Sequence, residues 1–297
     1  MSNYDDIFEV QPEDIEEQKP FDKEEWATRK KQERDDAFAL IDDTAERMRT
    51  DPEMFRTYLD VQARFDRYSV GNAILIAAQN PNATQLSDIK ALNGSGVFVK
   101  KGESGIVLLE PGEQYSREDG SVGVSYKTKK VFDISQTTGM TKTVPKVSRD
   151  GRMLLKALIH DAPCSITISD DLDESSFAVY DPEQKTVFVR KGMDAPDIFR
   201  GLAQELAHAH LDKGEYDRDE NAFAAYCVSY ILCERNGIPT DSFDFDRVSE
   251  SCSDMDAKTM RAELSKIRDT ANEISSDMSA VLEQRRHRPK ERTDEAR

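Results

Sequence analysis

Apolar positions in the first third of the chain recur at helical spacing. Phe38, Leu40, Ile41, Ala45 and Met48 mark a first helix that begins near Trp26. Asp51-Pro52 opens a second through Phe55, Leu59, Val61 and Phe65, and a third runs from Tyr68 to Gln79, closed by Asn80-Pro81. The period then shortens to that of strands: Val97–Val99, Ile106–Leu109, Val122–Tyr126 and Val131–Ile134, with Lys100-Lys101-Gly102-Glu103 as a turn. Beyond a weakly apolar stretch, Met153, Leu154, Ala157 and Leu158 predict a helix. Ser165–Ile168, Phe177–Tyr180 and Thr186–Val189 predict strands, the last two joined as a hairpin by Asp181-Pro182-Glu183-Gln184. Two helices follow, from Pro196 or Asp197 to about Leu211 and from near Asp219 to Arg235, the second stopped by Asn236-Gly237. A last helix spans about Asp256 to Leu282. Its apolar residues Met260, Leu264, Ile267, Ala271, Ile274, Met278 and Val281 alternate steps of four and three, a heptad seam. Packing of that seam on its own domain is expected ahead of a dimeric coiled coil.

The order of elements predicts an α+β chain in two domains: helices with a small antiparallel sheet at residues 26–137, then a hairpin-and-helix domain at 148–250. Around them stand a leader (1–25), a linker (138–147), the heptad helix (251–283) and a tail (284–297). Charge sharpens this division. The formal net charge is −17, which argues against a protein that coats duplex DNA over its whole surface. Almost half of it lies in the leader, with ten acids against two lysines, a composition expected to stay disordered and available to a protein partner. The tail is basic, and between Lys90 and Lys130 seven basic residues face five acidic ones, so a locally positive surface is available. No apolar run is long enough for a membrane span. Cys164, Cys227, Cys233 and Cys252 show no CxxC spacing, which predicts reduced thiols filling the core of a cytoplasmic protein. His160 and His287 read as surface residues.

Two stretches carry candidate chemistry. In Gln204-Glu205-Leu-Ala-His208-Ala-His210, the spacing is that of His-Glu-x-x-His, in which two histidines four apart on a helix hold zinc and the glutamate takes a proton from the bound water. Gln204 stands at the first ligand position, Glu205 at that of the base and His208 at the second ligand. An amide oxygen is a weaker zinc donor than imidazole, so the site is degenerate at its first ligand. The third would be an acid on the next helix, Glu220 or else Asp217 or Asp219. In the first domain Lys100, Lys101, Lys127, Lys129 and Lys130, with Arg64, Arg67 and Asn72, could line a groove for phosphates. Tyr68, Phe98, Tyr126 and Phe132 are candidate rings for stacking on bases.

Several segments together resemble the ArdC-type antirestriction proteins and LtrC-like relatives of plasmids and other mobile elements. They are Arg67-Tyr68-Ser69, Asn72, Gln79-Asn80-Pro81, Lys100–Glu103, Val131–Thr137, Tyr180-Asp181-Pro182, Glu205–Ala209 and Cys233 through Thr240. The resemblance implies a domain that binds single-stranded DNA followed by a zincin-like metallopeptidase domain, with zinc as the implied metal. The family's first zinc histidine falls on Gln204, the position of its third ligand is ambiguous, and the tryptophan usual before the Lys-Lys-Gly turn is Leu92. The implied function is therefore binding of single-stranded DNA in the protection of a mobile element's incoming DNA, with a degenerate peptidase domain. A working zinc peptidase localised by DNA, and a module that binds protein partners, are the alternatives.

Overall fold

The computed structural model describes residues 22–117, 119–139 and 150–284. The leader up to residue 21, the expected linker from residue 140, the tail from residue 285 and His287 lie outside the described residues. Helix α1 (Lys23–Met48) starts inside the acidic stretch, earlier than its apolar pattern does. Asp22 accepts from the backbone N–H groups of Glu24 and Glu25, and both acids sit in the first turn, where the helix dipole favours them. Asp51 caps α2 (Pro52–Arg64), whose first position is a proline, and Ser69 caps α3 (Val70–Gln79).

A three-stranded antiparallel sheet follows. It comprises β1 (Leu86–Asp88), β2 (Ile106–Ser116) and β3 (Val122–Asp133) in the order β1-β3-β2, with the short α4 (Ile89–Gly94) after β1. The two strands expected between Val122 and Ile134 are one. The polar Lys127–Lys130 run resembles a turn, but β3 pairs through it along β2 without interruption. Val97–Val99, in contrast, forms no strand; a single bridge joins Val99 to Thr137. Strand β2 lies at a sheet edge, and two side chains of α3 cover it. Asn72 and Gln79 are seven residues apart and share one helix face. Asn72 donates to the Leu109 carbonyl at 2.9 Å and accepts from its N–H at 2.8 Å. Gln79 does the same with Val107, at 3.0 and 2.9 Å. The open edge is thereby capped by amides that mimic a neighbouring strand.

The second half contains α5 (Gly151–Leu158), then β4 (Ser165–Ser169), β5 (Ala178–Asp181) and β6 (Thr186–Arg190). The expected hairpin is β5–β6, and β4 adds to β6 in parallel. Helices α6 (Ala195–Leu211), α7 (Arg218–Asn236), α8 (Val248–Cys252) and α9 (Ala257–Gln284) complete the chain, α7 ending at Gly237 in the left-handed conformation. Gly201 lets α6 approach the sheet closely, since a Cβ there would lie 2.4 Å from that of Phe177. The seam of α9 is buried from Met260 to Met278 and ends on Leu282 instead of Val281. It packs on α5, α6 and α7 and also on α1 and α3, so a single hydrophobic core runs through both halves.

Candidate functional site

Helix α6 carries Glu205 towards β5 and the first residue of α7, and His208 towards Tyr216 just before α7. Glu205 is buried, and three donors converge on it. Arg218 donates from both terminal nitrogens, at 2.9 Å to Oε2 and 2.7 Å to Oε1, and the Tyr180 N–H on β5 donates to Oε2 at 2.7 Å. Such a two-pronged pair is the strongest common form of ion pair. His208 is also buried, with Nδ1 2.7 Å from the Tyr216 hydroxyl. Burial first, and then the charge of Arg218, push its pKa down to about 4, so the ring is neutral at neutral pH. Tyr180 donates its hydroxyl to Asp212 at 2.9 Å, and Lys185 pairs with the same carboxylate.

The remaining expected ligands stand apart from this network. Gln204 is half-buried on α6, while Glu220 is exposed in the first turn of α7. Asp217 is the cap of α7, accepting from the N–H groups of Asp219 and Glu220. Among the described residues no three His, Cys, Asp or Glu side chains gather into a metal site. The donor set therefore does not fit the zinc that the resemblance implies: the glutamate that would act as base has both oxygens held by a guanidinium. Sequence reasoning missed Arg218. Its signal was its place in the first turn of a helix, where the dipole disfavours a cation unless a specific partner holds it.

The expected nucleic-acid residues divide by their neighbours. Lys129 lies between Glu110 at 2.8 Å and Asp88 at 3.5 Å, and Lys130 pairs with Glu33 at 3.4 Å. Burial alone would raise the pKa of Glu33. Bonds from Lys30 and Thr128 and the nearby lysine charges outweigh it and hold the group at about 2. Lys101 and Lys127 are exposed and pair with no acid among the described residues, while Lys100 donates to the Ser135 carbonyl at 2.9 Å. Arg64 and Arg67 are exposed around the α2–α3 loop, Arg64 bonding the Pro81 carbonyl. The side-chain amide of Asn72 bonds β2 through both its nitrogen and its oxygen, which gives it a positioning role. Of the expected rings, Phe98 is 57% exposed and Tyr126 39%, whereas Tyr68 packs edge-on against Phe65 and Phe132 lies over Gly105. Tyr115, 50% exposed near the tip of the β2–β3 hairpin, joins them. It falls in a segment whose sequence reads as a polar loop. Leu92, at the position of the family tryptophan, is buried.

No protein-family model matches the chain, and a search of curated proteins finds no match. Solved structures do match. The chain is similar to the metal-free crystal structure of the antirestriction protein ArdC from plasmid R388, with a TM-score of 0.51 and 18% identity over 72% of this chain and 86% of that one. The Mn(II)-bound structure of the same protein gives 0.50 and 17%, over 75% of this chain and 98% of that one. At this identity the likeness establishes a shared fold, and the ArdC-type resemblance seen in the sequence holds at that level.

Proposed function

We propose that the protein binds single-stranded DNA through its first half, in an ArdC-like antirestriction role for a mobile element, and that its second half is a peptidase-like scaffold without zinc chemistry. The carrying observation is the β2–β3 hairpin. β3 alone, at twelve residues, extends about 40 Å. Exposed rings at Tyr115 and Tyr126 and the exposed Lys127 lie on it, and the exposed Phe98 and Lys101 lie in the loop before β2, neither lysine pairing with an acid among the described residues. Rings stack on any base and lysines meet phosphates, which gives affinity without sequence preference. The shared fold with ArdC supports the same reading, and the Arg218–Glu205 pair supports the scaffold role. The guanidinium and a backbone N–H already take three of the about four lone-pair sites of that carboxylate.

Anisotropy of a labelled oligothymidylate tests this. Binding should prefer the single strand over duplex and fall as salt rises. Lys101→Ala with Lys127→Ala should flatten the salt slope by about 0.7 for each lysine that meets a phosphate. Lys129→Ala, already neutralised by Glu110 and Asp88, should change it far less. Absence of binding at low salt, or equal effects of the paired and unpaired lysines, overturns the proposal.

A further inference from the structure

Between the two halves lies a cavity of about 290 Å³, bounded by α1, the start of α3, the hairpin and α9. Phe38, Ser69, Tyr126, Arg261, Ser265 and Arg268 line it. The three α9 residues sit one position beyond the seam residues Met260, Leu264 and Ile267. The buried seam thus anchors the helix while Arg261 and Arg268 on its flank line the cavity. Two acids face the arginines. Asp42 on α1 pairs with Nη1 of Arg261 at 2.9 Å, and Asp269 with Nη1 of Arg268 at 2.8 Å. Each pair uses one nitrogen of a group with five N–H donors, and among the described residues neither Nη2 has a partner. Ser265 donates to the Arg261 carbonyl, which leaves its oxygen as an acceptor only. Phe38 meets the Tyr126 ring edge-on at 5.7 Å, and both rings line the cavity with the arginines. Its volume is at the low end of ligand pockets, roughly 300 Å³, so it has room for one nucleotide and none for a duplex.

We propose that this cavity receives one nucleotide unit of a bound single strand, its phosphate held by Arg261 and Arg268 and its base against Tyr126. The proposal rests on the strand-binding reading above and extends it: a helix of the second half becomes part of the nucleic-acid surface. Arg67, in the loop leading to Ser69, then continues the phosphate path away from the cavity.

The test uses the full chain and the same labelled oligothymidylate. Arg261→Ala with Arg268→Ala should weaken binding and lower the slope of log affinity against log salt by about 1.4, or about 0.7 for each phosphate no longer neutralised. Tyr126→Leu should weaken binding roughly tenfold and leave the slope unchanged, because a stacked ring carries no charge. Far-UV circular dichroism establishes that each variant is folded. Should Arg268→Ala unfold the protein, Arg261→Ala alone carries the test, with an expected slope change of about 0.7. If the natural protein binds, Lys101/Lys127→Ala weakens it and the arginine variants match the natural protein in affinity and slope, the cavity proposal falls while the strand-binding reading stands. If the natural protein does not bind at low salt, both fall.

Discussion

Arg218 and Glu205 form the pair on which the proposed scaffold role of the second half rests. The glutamate is placed by an ordinary amphipathic helix, as its spacing from His208 predicts. Its role is decided by an arginine thirteen residues on, whose guanidinium neutralises it. Removal of Arg218 leaves a buried carboxylate with only the Tyr180 N–H. Breaking a fully buried pair costs about 3–5 kcal/mol. Arg218 is 41% exposed on its side chain, so solvent screening reduces the expected loss for Arg218→Ala to about 2 kcal/mol, measurable by urea unfolding at pH 7. His208 adds a pH dependence of fixed sign. Its folded pKa of about 4 lies below the unfolded value near 6.5, so the unfolded chain binds the proton first. Stability should be full above about pH 6.5 and decline as pH falls towards 4, by up to ~3 kcal/mol from this residue, with no further loss from it below that. In unfolding curves taken across this range, His208→Gln should show a shallower decline. His210, shifted downward by its own burial, leaves a residual slope in the variant.

At the scale of elements, α9 shows how a periodic pattern acquires its meaning. The heptad seam would serve a dimeric coiled coil as well as a packed helix. It is occupied within the chain, against α1, α3, α5, α6 and α7. Leu264 is fully buried at its centre. Leu264→Asp should therefore unfold the protein, with loss of helical circular dichroism. Dissociation of a folded dimer into folded monomers, seen by sedimentation, would show that the seam joins two chains. A truncation to alanine at the same site should cost about 2–5 kcal/mol. The amide pair of α3 is a second case. Asn72 reads as a polar residue available to a ligand, and becomes a strand substitute because β2 arrives beside it with two unpaired backbone groups.

On the scale of the whole molecule, net charge and local charge part company. A chain of −17 can still offer a strand-binding surface because its acids are segregated, many of them in the leader. Asp88 and Glu110 in the sheet and Glu33 on α1 cancel Lys129 and Lys130, which a residue count between Lys90 and Lys130 does not reveal. The buried core also continues from one half to the other through α9.

Most of the elements were legible in the sequence because they obey local rules. Asp51-Pro52, Ser69 and Asn236-Gly237 set helix ends through caps and a left-handed stop, and apolar periods of 3.6 and 2 separated helix from strand. The spacing of Gln204, Glu205 and His208 likewise placed them on one helix. Tertiary structure alone decided which groups meet. The continuous β3, the parallel addition of β4, the holding of Glu205 by Arg218, the capture of Asn72 by β2 and the meeting of Arg261, Arg268 and Tyr126 around one cavity all join residues from different elements. A local pattern specifies the conformation and the buried face of a segment, whereas electrostatic and hydrogen-bond partnerships depend on distances that only the folded chain sets.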